Sequence, residues 1–137
     1  MSRRAPRLPH VFVDRSLGRI LVPQLLREAG VQLTTLAEYY GIPQDEGVED
    51  VTWIAEAAQQ GWILFMEDDR IRRRPAERAM IHQHQARCFC LANANLRSSE
   101  MAQCYLRNLP AIARAGAQPG PFLYSVQAGR IEKLAIN

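Results

Sequence analysis

Short β-prone runs alternate with helix-spaced segments along most of this chain, and few folds accept that pattern. "HVFVD" (10–14), "WILFM" (62–66) and "RCFCLA" (87–92) are apolar and bounded by turn or helix signals. Between them, "RILVPQLLREAG" (19–30) carries apolar residues at helical spacing and a glycine stop, with Pro23 in its first turn or at a kink. "VTWIAEAAQQG" (51–61) reads as a helix ended by Gly61, with Glu49 and Asp50 at its N-terminus, where negative charge is favoured. "PAERAMIHQHQ" (75–85) is a helix with proline at its first position. "VQLTTLAEYYG" (31–41) opens as a strand and ends in a turn or short helical piece. A helix capped by Ser98 or Ser99 runs toward Arg114, and "PFLYSVQAGRIEKLAI" (121–136) reads as a hairpin around Ala128-Gly129. Strands alternating with helices predict an α/β fold of three layers, α/β/α, with a mainly parallel central sheet and right-handed crossovers. Sites in such folds gather outside the carboxyl ends of the strands.

At 137 residues the chain is long enough for one domain with a proper core. Residues 1–9, basic and without an apolar run behind them, are expected to be a flexible tail, and residues 10–137 a single domain. No stretch approaches 18 apolar residues, so no membrane partner is expected. Three cysteines with no export signal point to reduced thiols and a cytoplasmic protein. Cys88 and Cys90 alternate within an apolar run, which marks them as core thiols rather than ligands. His82 and His84, two apart on a helix, diverge and make a weak zinc motif. The net charge of +3 is too small to signal nucleic-acid binding by itself. Lys133 is the only lysine among 17 basic residues. Arginine suits phosphate through its planar fork, although genome base composition also inflates it. No Gly-rich phosphate loop and no Ser-His-Asp or Cys-His set stands in a convincing context.

The stretch "ILFMEDDRIRRRP" (63–75) sets acids at a strand end against a cationic loop. Asp14 ends the first run and Asp68 follows the third strand, so both reach one crevice if those strands are neighbours. Asp50, opening the intervening helix, reaches it too. Clustered carboxylates repel one another, and a divalent cation resolves the conflict. The competing reading makes Asp68 and Asp69 helix caps, Asp14 and Arg15 a local ion pair, and the arginines a solvated loop. Pattern alone leaves both open.

"VFVDRSLGR" followed by an amphipathic helix, then "GVEDVTWIAEAAQQGWILFMEDDRIRRRPAE" and "GPFLYSV…GRI", resembles the PIN-like domains, and most of all the VapC-type toxins of VapBC toxin–antitoxin modules. The likeness spans residues 10–134. It implies a metal-dependent endoribonuclease, using Mg²⁺ or Mn²⁺, with Asp14, Asp50 and Asp68 as metal-binding catalytic acids and Glu49 and Asp69 as further candidates. Related sequences often carry a second acid two residues after the last of these, where this chain has Arg70. That departure keeps a second reading alive, a catalytically weak or inactive PIN-like binding module. RNA phosphates are expected on Arg15, Arg19, Arg70, Arg72 and Arg73. If the loop is extended, Arg70 and Arg72 share a face, Arg73 turns elsewhere and Ile71 packs beneath. Ser16, Asn93 and Asn95 are polar crevice candidates, with turn formation the competing role for the asparagines. The resemblance also implies a cognate antitoxin, an RNA substrate and a homodimer as partners.

Overall fold

A computed structural model of the chain describes residues 7–67, 69–93 and 95–136. Most of the segment expected as a tail, residues 1–6, therefore lies outside the described residues, while Leu8 packs against the core. Among the described residues six strands form one sheet: β1 (Val11–Val13), β2 (Leu33–Thr35), β3 (Ile63–Met66), β4 (Arg87–Leu91), β5 (Phe122–Val126) and β6 (Ile131–Leu134). Their order is β2-β1-β3-β4-β5-β6. The first five run parallel, and β6 returns antiparallel through the expected hairpin. The helices are α1 (Leu21–Glu28), α2 (Leu36–Tyr40), α3 (Asp50–Gln59), α4 (Pro75–His84), α5 (Ser98–Arg107) and α6 (Leu109–Gly116). The 3₁₀ turns Arg15–Leu17, Gln44–Gly47 and Asp69–Arg73 lie in the connections.

Strand side chains alternate between faces, and the alternation divides the core in two. Val11, Val13, Ile63, Phe65, Phe89 and Leu91 face α1, α5 and α6, where Leu26, Tyr105 and Ile112 meet them. Phe12, Leu64, Met66, Cys88 and Cys90 face the other way, onto Trp53, Ile54 and Ala57 of α3 and Ile81 of α4. Both strand faces are thus buried, which explains why the runs are continuously apolar. Burial also pushes the Cys88 thiol up to about 12, so it serves as a small core hydrophobe. Among the described residues no helix is long and apolar enough to cross a membrane.

Local rules explain the element ends. α3 stops where Gly61 takes φ +78°, and the Trp62 N–H then returns to the Ala57 carbonyl at 3.0 Å. That turn sends the chain directly into β3. Pro23 stands at the third position of α1, within its first turn, and Pro75 opens α4 as expected.

Three expectations need correction. The helix running toward Arg114 is two helices. Pro110 has no N–H to continue α5 and sits instead in the first turn of α6. At the break, the Asn108 side-chain amide donates to the carbonyls of Cys104 and Gln127, each at 2.7 Å. Arg97 rather than Ser98 or Ser99 is the N-cap of α5, and its backbone N–H donates to the Glu100 carboxylate at 3.0 Å. The arginine segment is not extended. Ile71, 4% exposed, anchors it as expected, but residues 69–73 coil as a 3₁₀ turn, and the Arg74 N–H closes onto the Ile71 carbonyl at 3.2 Å. Residues three apart share a face in that geometry. Arg70 therefore aligns with Arg73, not with Arg72.

Tyr105 ties β3 and β4 to α5. Its hydroxyl accepts from the Met66 N–H at 3.1 Å and reaches the carbonyls of Met66 and Phe89 at 2.7 and 2.9 Å. Its ring stacks on Phe65 with centroids 4.1 Å apart. Burial raises its pKa well above the usual phenol value, so the hydroxyl stays protonated. Tyr105→Phe keeps the ring and strands the Met66 N–H. It should destabilise the fold by about 1–3 kcal/mol, measured by urea denaturation with an unchanged m-value.

Candidate active site

The sheet order creates the site. β1 has β2 on one side and β3 on the other, with Val13 paired to Thr35 and to Phe65. α1 leaves β1 over one face and α3 enters β3 over the other. The chain therefore opens a crevice at the carboxyl ends of β1 and β3, a topological switch point. A cleft of about 250 Å³ occupies it, lined by Asp14, Arg15, Ser16, Asp50, Trp53, Met66, Ile71 and Arg74.

Asp14 sits where β1 ends. Its N–H still donates to the Phe65 carbonyl at 2.9 Å, prolonging the ladder by one residue. Its carboxylate accepts from the Ser16 hydroxyl at 2.6 Å. That hydroxyl in turn accepts from the Glu67 N–H at 3.2 Å, so one serine links the ends of β1 and β3. Burial pushes the Asp14 carboxyl above its ordinary pKa; the Ser16 bond opposes this and the charge of Asp50 adds to it.

Asp50 opens α3. One of its oxygens accepts from the Trp53 indole N–H at 2.9 Å, and Trp53 is 1% exposed. The i,i+3 spacing places acid and indole on one helix face, and burial of the ring fixes the carboxylate. The other oxygen lies 3.4 Å from Arg74 Nη1.

The remaining candidates separate. Asp68 lies outside the described residues. Glu49 is the exposed N-cap of α3 and lines an adjoining cleft with Asp50 and Glu77. Asp69 opens the 3₁₀ turn that carries Arg70 and Arg73, both exposed. Arg72 is half-buried, and its Nε is buried with no hydrogen-bond partner among the described residues. Arg15 lines the cleft but also donates to the Asp45 carbonyl at 3.3 Å and to the Glu46 carbonyl. Arg19 is turned to Asp45, which it grips with two nitrogens at 2.8 and 3.0 Å. Asn93 makes a local contact, its side-chain oxygen accepting from the Asn95 N–H at 2.9 Å. His82 contacts the Ile136 carbonyl, away from the cleft.

Sequence reasoning missed Arg74, Trp53 and Asp45. Trp53 had a usable signal, its i,i+3 distance from Asp50. Arg74 follows three other arginines and nothing local singles it out. Asp45, wholly buried, is one acid of several in an acidic loop.

The donor set fits a hard divalent cation. Such ions take carboxylate oxygens, commonly one or two, and complete their shell with water and substrate phosphate. Asp14 and Asp50 present carboxylates to one cleft. Among the described residues no group of three metal-ligating side chains is assembled.

Comparison with known proteins gives two findings. The family described as PIN like domain matches residues 9–93. A Mycobacterium tuberculosis (strain ATCC 25618 / H37Rv) protein named "Putative ribonuclease VapC45" is 47% identical over 127 residues, which cover 93% of this chain and 92% of that protein. No solved structure matches the chain significantly.

Asp14 carries a testable cost. A carboxyl with a raised folded-state pKa is protonated more readily folded than unfolded. Folding stability therefore falls as pH rises from the unfolded-state pKa through the folded one, and the full penalty persists above both. Asp14→Asn should stabilise the protein at pH 7 by about 1 kcal/mol, the usual scale when active-site strain is relieved. The gain should vanish at pH values below the ordinary aspartate range, as followed by thermal unfolding across pH.

Proposed function

The chain belongs to the PIN-like domain family, and from that premise we propose that it is a VapC-type toxin, a metal-dependent ribonuclease that hydrolyses RNA phosphodiesters. The single observation that carries this reading is the pairing of Asp14 and Asp50 in the cleft at the β1/β3 switch point. The likeness to a protein named as a ribonuclease over nearly the whole of both chains supports it.

Asp14 and Asp50 would hold Mg²⁺ or Mn²⁺ at the cleft floor, with Asp68 as the third ligand. Such an ion, when bound, supplies Lewis-acid stabilisation and an activated water. The chain's own groups do the rest. Ser16 orients one Asp14 oxygen, and Trp53 orients one Asp50 oxygen. This leaves the second Asp50 oxygen on the side of Arg74, a cleft-lining residue. A phosphodiester is anionic, so entry beside two carboxylates needs compensating cations. Arg15 and Arg74 line the cleft, and Arg70 and Arg73 flank it on the exposed face of the 3₁₀ turn. Arg19, committed to Asp45, has the weaker claim to a phosphate role. A cognate antitoxin that covers the crevice is the partner this reading implies, acting in the cytoplasm.

The deciding experiment is cleavage of RNA with Mg²⁺ or Mn²⁺ and with EDTA, using wild type, Asp14→Asn, Asp50→Asn and Asp68→Asn. Turnover should require the metal and fall by orders of magnitude in each variant while circular dichroism stays native. Metal binding by the wild type without RNA cleavage would instead support the binding-module reading suggested by Arg70 at the fourth-acid place. Turnover undiminished in EDTA would remove the metal mechanism.

The coiled geometry of residues 69–73 makes a further prediction. Arg70→Ala combined with Arg73→Ala should weaken RNA binding and lower its log–log salt slope by about two, one for each phosphate contact. Arg72→Ala, its Nε buried, should act mainly on stability.

A further inference from the structure

We infer that Arg74 is an internal counter-ion of Asp50 that gives up this carboxylate to metal and then serves the substrate phosphate. The cleft carries the inference. Asp50 has two oxygens with different fates. Oδ1 is tied to the buried Trp53 indole, so it cannot turn away. Oδ2 is left to face the cleft, and Arg74 Nη1 lies 3.4 Å from it. A divalent cation that uses Asp50 must take Oδ2, share it with the guanidinium or displace it. Two cations on one oxygen repel, so displacement is favoured.

Arg74 is built for such a transfer. Its backbone is held between Ile71, which accepts its N–H, and Pro75, which opens α4. The side chain is half-exposed, and its Nε lies 3.9 Å from Glu77 on the next turn. Glu77 can retain one edge of the guanidinium while the Nη1 edge swings off Asp50. The fork then presents donors at the mouth of the cleft that Asp14 and Asp50 line. A guanidinium engages phosphate oxygens through paired N–H groups, which a lysine cannot reproduce. Arg74 thereby opposes metal before substrate arrives and favours substrate once metal is in place. The metal and phosphate together would be better held than either alone. The phosphate half of this inference rests on the ribonuclease reading; the metal half does not.

The two halves move in opposite directions, and that separates this role from a merely structural one. In Arg74→Ala, Mn²⁺ titrated calorimetrically into the RNA-free protein should bind about two- to fivefold more tightly, the worth of one half-exposed ion pair. The same variant should bind a non-cleavable RNA analogue, in Ca²⁺, more weakly, with a salt slope lower by about one. Arg74→Lys should restore the wild-type weakening of Mn²⁺ binding but not the RNA affinity. Arg74→Gln provides a second neutral variant should Arg74→Ala unfold. Unchanged or weaker Mn²⁺ binding in both folded neutral variants overturns the counter-ion role. Tighter Mn²⁺ binding with unaltered RNA affinity overturns the phosphate role. If Mn²⁺ binds more tightly to the variants and no form cleaves RNA, the counter-ion role stands and the ribonuclease reading fails.

Discussion

The rest of the molecule depends on the parallel pairing of β1 with β3. Three backbone registers, Val11 to Ile63, Phe12 to Leu64 and Val13 to Phe65, join segments some fifty residues apart in sequence. Because β2 occupies the other edge of β1, the two connections that leave and re-enter this pair cross opposite faces of the sheet. Their separation opens the crevice at the strand ends. The ladder does not stop at the assigned strand, since the Asp14 N–H continues it to Phe65. Asp14 is thus placed by sheet hydrogen bonding rather than by a loop, which holds its carboxylate more tightly than a loop can.

Around that carboxylate the chain spends stability on charge. Burial and the neighbouring Asp50 both favour the protonated form of Asp14. The opposing contacts, Ser16 above all, keep it oriented without removing the conflict. Such unresolved repulsion between carboxylates is characteristic of sites that await a cation.

A second charged pair serves architecture. Asp45 is 0% exposed, and Arg19 meets both its oxygens. Hydrogen bonding to that guanidinium lowers the Asp45 pKa. Together with the Arg15 contacts to the Asp45 and Glu46 carbonyls, the pair fastens the turn after β1 to the turn that precedes α3. Asp14 lies in the first region and Asp50 just beyond the second. A bidentate clamp of this kind limits how far the two acids can drift apart. Asp14 and Asp50 thus owe their common cleft to sheet pairing and to a side-chain pair remote in sequence.

How much of this was legible in the chain follows from the range of each interaction. Most strand and helix positions, the hairpin, the αβ layering and the burial of Cys88 and Cys90 depend on period, glycine and proline, all local signals, and the sequence by itself determined them. It also marked Asp14 and Asp50 as element ends that meet if β1 and β3 are neighbours. The break at Asn108 was missed because apolar spacing continues across it, and Pro110 is as compatible with a new first turn as with a kink. The coiling of residues 69–73 was missed because alternation in a short basic run looks extended until Ile71 finds a buried pocket. Only tertiary structure decided that Arg74 joins Arg15 in the cleft while Arg19 turns to Asp45. Arg15, Arg19, Arg72, Arg73 and Arg74 are chemically alike, and their different fates follow from partners supplied by distant segments: Asp45 for Arg19, Asp50 for Arg74. Charge is local to a residue, but the neighbour that neutralises it is set by the packing of the whole sheet.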